Sequence, residues 1–148
     1  MFRSTTLGPN LATIREVWRY GCTRVVMRMA QGETIATLDV TGVCTRDILS
    51  SLRRDALLYA TTVKAGAIVI DFRHVAIMVG EDDLPMPGLY VPFNVAAMPV
   101  ALVAQAHDER LFLRHAEHQA RAGLIRAVFT CPDAAYRWAC ARAEVNSV

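Results

Sequence analysis

Two short runs of apolar residues limit this fold more than anything else in the chain: Ala67–Phe72, whose only polar member is Asp71, and Val100–Ala104, which has none. Neither run alternates apolar with polar residues, so neither has a face to offer water. A strand of this kind is dry on both sides, as in sheets whose parallel strands are covered by helices. Wherever these two segments lie, other parts of the chain or a second chain must cover both of their faces.

The rest of the sequence supplies elements that alternate with them. Arg24–Ala30 and Thr34–Val40 are two β-type runs joined by Gln31, Gly32 and Glu33, which reads as a hairpin. Thr45 is placed to cap a helix carrying Ile48, Leu52, Ala56, Tyr59 and Val63 at three- and four-residue steps, with Gly66 as its stop. Asp108 is placed to cap a second helix, with Phe112, Ala116 and Ala120 inward, Arg110, Arg114, Glu117 and Arg121 outward, and Gly123 at its end. On this reading His115 and His118 belong to a solvated face rather than to a metal site. Ile125–Phe129 is a last strand, and Thr130-Cys-Pro-Asp133 opens a final helix through Tyr136, Ala139, Cys140 and Ala143. Leu11, Ile14, Val17 and Trp18 carry helical spacing and suggest a short amphipathic helix near the N-terminus, although Val17–Tyr20 would also suit an extended strand. Pro85, Pro87, Pro92 and Pro99 forbid a long helix between the two dry runs.

Composition narrows the classes. With 148 residues, 53% of them hydrophobic and 20% charged, the chain is sized for one core and is too apolar for disorder. Its 16 basic residues, all arginine but Lys64, are scattered among 14 acids, so no basic tract marks a nucleic-acid surface. The longest apolar run, Val95–Ala104, is interrupted by Pro99 and reaches about half of a membrane span. Met1–Thr6 lack the apolar core of a secretory signal. Cys22, Cys44, Cys131 and Cys140 show no C-x-x-C and no metal-ligand spacing. The expected setting is a reducing cytoplasm with free thiols, with a Cys22–Cys140 pair left open for an oxidising one.

The layout of hairpin, helix, strand, crossover, strand, helix, strand, helix resembles the STAS, or SpoIIAA-like (anti-sigma-factor-antagonist-like), superfamily over residues 23–144. The resemblance rests on Asp39-Val-Thr-Gly42 closing the hairpin, Ile70-Asp-Phe-Arg-His-Val75 as the strand with a charged end, and Val128-Phe-Thr-Cys-Pro-Asp-Ala-Ala-Tyr-Arg-Trp138 as closing strand and helix. It implies an α/β domain at 23–148 after an extension at 1–22: a β/α superhelix on a mixed sheet of about five strands, with helices mainly on one face. It also implies a non-catalytic regulatory or protein-interaction module that forms a homodimer or meets a regulatory protein partner. The phosphoregulated members carry a Ser just after the acidic strand end. Here Asp71 is followed by Phe72, Arg73 and His74, and no Ser occurs from 52 to 146, which implies the branch without that switch. A related lipid-binding fold with the same sheet plan keeps open a small apolar or lipid-like ligand.

If the last strands are parallel, their C-terminal ends share one rim. That rim would display Thr41, Cys44, Asp71, Arg73, His74, His107, Asp108, Thr130 and Cys131. Asp71, Arg73, His74, His107 and Asp108 are the candidate binding groups. An enzyme would need Asp71 with His74, or Asp108 with His107, as an acid–base pair beside a Cys44 or Cys131 nucleophile. No family signature supports this, so no catalytic residue, cofactor or metal is expected. Leu89, Tyr90, Phe93 and Trp18 are the candidate pocket or interface residues, because residues 84–99 are too apolar for an exposed loop. In a superhelix with every helix on one flank, the cover for the other flank has three candidates: residues 1–22 with Trp18, the 84–99 segment, or a second copy of the chain.

Overall fold

The computed structural model describes residues 2–7, 13–30, 33–78, 98–121 and 123–146. Strands β1 (Phe2–Leu7), β2 (Thr13–Tyr20), β3 (Thr23–Ala30), β4 (Ile35–Thr45), β5 (Ala67–Met78), β6 (Val100–Val103) and β7 (Arg126–Phe129) form one sheet in sequence order. The first four are antiparallel, and β4 through β7 run parallel. Helix α1 (Arg46–Thr62) links β4 to β5, and α2 (Glu109–Arg121), entered through a short 3-10 turn at Ala106–Asp108, links β6 to β7. Helix α3 (Pro132–Asn146) follows β7. This is the mixed sheet and helix order expected from the sequence, widened to seven described strands because residues 2–7 and 13–20 join it.

Where the sequence suggests a helix at 11–20, the described residues Thr13–Tyr20 are strand β2. Its period-three pattern was also compatible with alternation: Glu16, Trp18 and Tyr20 point to one face and are buried, while Arg15, Val17 and Arg19 point to the other. Pairing to β3 along all eight residues outweighs a local helical preference.

Both dry runs are strands, and both are buried throughout. One face of the sheet packs Leu38, Val40, Ile68, Ile70, Phe72 and Leu102 against α1 and α2. On that side Trp18 stands edge-on to Tyr59, with ring centroids 5.7 Å apart, and Phe72 stacks on Phe112 at 5.0 Å. The opposite face packs Ile35, Ala67, Val69, Ala101 and Val103 against Ala135, Ala139 and Ala143 of α3. The cover for the second flank is thus the chain's own last helix, and none of the three candidates is needed for it over β5 and β6. Small residues let that helix lie low. A Cβ at Gly66 would come within 3.0 Å of the Ala143 Cβ.

The ends of α1 follow from local chemistry. The Thr45 hydroxyl accepts from Ile48 N at 3.4 Å, as an N-cap should. The stop is Lys64 rather than Gly66: Lys64 adopts φ 61°, its N–H donates to Thr61 O at 3.2 Å, and Ala65 N donates to Ala60 O at 2.8 Å. These are the two bonds of a Schellman turn with a lysine in the left-handed position that glycine usually fills. Gly66 is kept free of a side chain by the approach of Ala143.

Two outcomes test this account. Lys64→Gly should raise stability by up to about 1 kcal/mol by removing a left-handed side-chain conformation, read as a higher urea midpoint with an unchanged slope. Ala139→Leu, at a site with no exposed surface, should cost about 1–3 kcal/mol by overpacking, whereas Ala141→Leu on the exposed side of α3 should leave the midpoint in place.

Candidate functional site

The charged stretch expected at the end of a strand lies in the middle of β5, which runs on past it to Met78, and it is organised by one ion pair. Arg73 donates from Nε and Nη2 to the two oxygens of Asp71 at 2.8–3.1 Å, and the Arg73 backbone N–H adds a bond to Oδ1 at 2.9 Å. Burial raises the Asp71 pKa, but the Arg73 hydrogen bonds and charge outweigh it and hold the carboxyl below its usual range. Gln105, after β6, donates to the Arg73 carbonyl and ties the two strands together. His74 is exposed, opposite Thr41 of β4. His107 and Asp108 lie in the 3-10 turn and pair with each other at 3.3 Å.

The structure therefore brings Asp71 to Arg73 and His107 to Asp108, without a described bond between the two pairs. Cys131 is exposed at the start of α3, while Cys44 is fully buried and burial pushes its thiol up to about 12. A buried neutral thiol is a packing group rather than a nucleophile. All four cysteines are free, and the described residues hold no cluster of three or more His, Cys, Asp or Glu that would grip a metal. Beside Asp71 is an open groove of about 220 Å³ between β4, β5 and the first turn of α3, lined by Thr37, Asp39, Val69, Asp133 and Tyr136. Asp39 is held by Arg28 at 3.1 Å, and Tyr136 donates to Glu33 at 3.0 Å.

Leu89, Tyr90 and Phe93 lie outside the described residues. Trp18 is 1% exposed and donates its indole N–H to Glu16 at 3.0 Å, so it is a core residue and does not present itself to a partner.

Two groupings were not read from the sequence. In the outer part of the sheet, the β2–β3 register sets Arg15 opposite Arg28 and Arg19 opposite Arg24. Residues scattered along the chain become a basic face. Beneath α1 and α2, Arg53, His115, Gln119 and Arg126 form a polar cluster within the apolar core. His115 Nε2 lies 2.6 Å from Arg53 Nη1 and 2.9 Å from Gln119 Nε2, and Arg126 Nε donates to Gln119 Oε1 at 2.9 Å. Arg126 also donates to the carbonyls of Met98 at 2.9 Å and Ile125 at 2.8 Å.

The expectation of a solvated His115 is thus corrected: it is 5% exposed and faces inward, while His118 is exposed. The signal was available in two places. His115 and Gln119 fall on the same stripe as Phe112 and Ala116, and Arg126 alone interrupts an apolar strand. Burial, reinforced by Arg53, Arg126 and His118, drives the His115 pKa down to about 3. Burial lowers Arg53 to about 10, and burial with the Arg53 charge does the same to Arg126. Both guanidiniums stay charged at neutral pH, and the imidazole between them stays neutral.

The sequential sheet and the parallel crossovers through α1 and α2 define a SpoIIAA-like α/β fold. Among solved structures the chain is similar to an uncharacterized protein of the DUF3478 family with a SpoIIAA-like fold from Shewanella loihica PV-4, with a TM-score of 0.52 and 14% identity over 83% of this chain and 98% of that one. No family model matches the sequence, and no curated protein does. Among the described residues no helix is long and apolar enough to cross a membrane.

The buried histidine makes a signed prediction. Its pKa is depressed on folding, so the unfolded chain takes up the proton first as pH falls. Its contribution is complete above the ordinary 6.5 and is lost as pH drops toward about 3. Inside that window wild-type stability should fall by up to about 1.4 kcal/mol per pH unit more than that of His115→Gln. Urea titrations at several pH values measure both slopes, and equal slopes would show that His115 titrates normally.

Proposed function

We propose that this chain is a non-catalytic, STAS-like regulatory module that acts by binding protein, with a second copy of itself as the first partner, and that it carries no serine phosphoswitch. The observation that carries the reading is the far end of the β4–β5 ribbon. β5 is twelve residues long, but β6 is only four and pairs with residues 68–71. Residues 72–78 run on with β4 as their sole described strand neighbour. On one face of this projection Ala76 lies opposite Val43 and Met78 opposite Thr45, with Val43 42% and Met78 66% exposed. An apolar strip on a ribbon that no further described strand extends is a surface on which another chain can add contacts and backbone hydrogen bonds.

The state of the polar groups supports binding over catalysis. Asp71 is occupied by Arg73, and the Cys44 thiol is buried and protonated. The free thiols suit the cytoplasmic setting read from the sequence. The absence of Ser between 52 and 146 leaves the Asp71 stretch of β5 without the residue that the phosphoregulated members modify.

Light scattering coupled to size-exclusion chromatography tests the reading. Wild type should elute with the mass of a dimer and melt at a temperature that rises with its concentration, and Met78→Asp should elute as a monomer that still unfolds cooperatively at a temperature independent of concentration. A monomeric wild type that also recovers no protein from its own cells through an immobilised copy would overturn it.

A further inference from the structure

We propose that the cleft between α1 and α2 is a binding site for one small monovalent anion, a halide or the carboxylate of a short acid, held between the guanidiniums of Arg53 and Arg126. The inference is independent of the docking surface on the β4–β5 ribbon.

It starts from charge. Two guanidiniums reach into one apolar cleft walled by Leu49, Leu52, Phe72, Val100, Leu102 and Phe112. Cations largely removed from water are ordinarily matched by a carboxylate, yet among the described residues no carboxylate bonds to either one. Arg53 has His115 as its side-chain partner, and Arg126 has one amide oxygen and two backbone carbonyls. These partners are dipoles and leave both charges standing. His115 cannot supply the counter-charge, because an imidazole is neutral at best and its Nε2 is already shared by Arg53 and Gln119.

The unmade hydrogen bonds point the same way. Arg53 Nε and Arg126 Nη2 are buried and have no acceptor. A buried donor left without an acceptor is costly, and more so when it carries charge. Gln119 and His115 hold the two arginines by a relay, Arg126 to Gln119 to His115 and Arg53 to His115, so the cluster is already arranged around its missing partner.

Size then selects the occupant. The cleft offers about 10 Å³ to the centre of a water-sized sphere, which is room for about one such sphere. That limits the occupant to about one small ion or headgroup and leaves no space for a fatty chain or a nucleotide. A water molecule would satisfy the donors but leave both positive charges standing, whereas a monovalent anion satisfies the donors and cancels one of the two charges.

Thermal unfolding at constant ionic strength tests this, with sodium chloride, bromide or formate replacing sodium gluconate, whose anion is too large for the cleft. Above the dissociation constant, each tenfold rise in the small anion should raise the apparent folding constant about tenfold, and gluconate should not. A response to formate alone identifies a carboxylate as the occupant, and a response to halides as well identifies a general small-anion site. Arg53→Gln should abolish the response, while Arg54→Gln, on the exposed side of α1, should keep it. If Arg53→Gln does not fold, a wild-type crystal soaked in bromide should show an anomalous peak within hydrogen-bond distance of Arg53 Nε and Arg126 Nη2. Equal melting in all four salts, or crystals soaked in bromide and in formate that show neither anion in the cleft, would overturn the proposal.

Discussion

The burial of β5 and β6 on both faces is the interaction on which the rest of this structure depends. A four-residue strand such as Val100–Val103 contributes little by its ladder bonds alone, and its stability comes from apolar surface removed from water on two sides. Each buried valine or leucine contributes on the order of 1.5–3 kcal/mol before entropy is subtracted. That gain requires two layers of cover. Bulky side chains of α1 and α2 provide one and the alanines of α3 the other. The asymmetry is physical: branched and aromatic residues fill the wide space under two crossing helices, while alanines let one helix lie against a flat part of the sheet.

That same two-sided cover decides where polar chemistry sits. Over residues 67–72 and 100–103 the sheet is sealed by apolar cover, and charge gathers in three places around it. One is the middle of β5, where Asp71 and Arg73 neutralise each other beside an open groove. Another is the margin under α1 and α2, where Arg126 of the last strand meets Arg53 and His115. The third is the outer part of the sheet, where β2 and β3 set arginine opposite arginine. Like charges directly across a strand pair are unfavourable, and Asp39 offsets one of them through Arg28. The ribbon formed by β4 and β5 outruns the seal altogether and exposes apolar side chains that a covered sheet would hide.

What the sequence by itself determined is the set of elements whose information is local. Non-alternating apolar runs can only be strands dry on both sides, Thr45 can cap only a helix that starts at its own position, and Gly123 at φ 86° ends α2 where a glycine was placed to do so. The same local logic placed Asp71, Arg73 and His74 together but at a strand end, whereas β5 runs on through them to Met78. What only the tertiary structure decided is pairing across distance. Whether Trp18 belonged to a helix or a strand depended on β3 lying beside it. The layer over the second flank depended on the path of α3, which no periodicity encodes. Arg53, His115 and Arg126 lie on three elements, and the basic face joins two strands; single-chain patterns report the period of each element and not which neighbour it meets. Contact between distant residues is a property of the packed sheet, and it exists only once hydrophobic burial has chosen one arrangement of the layers.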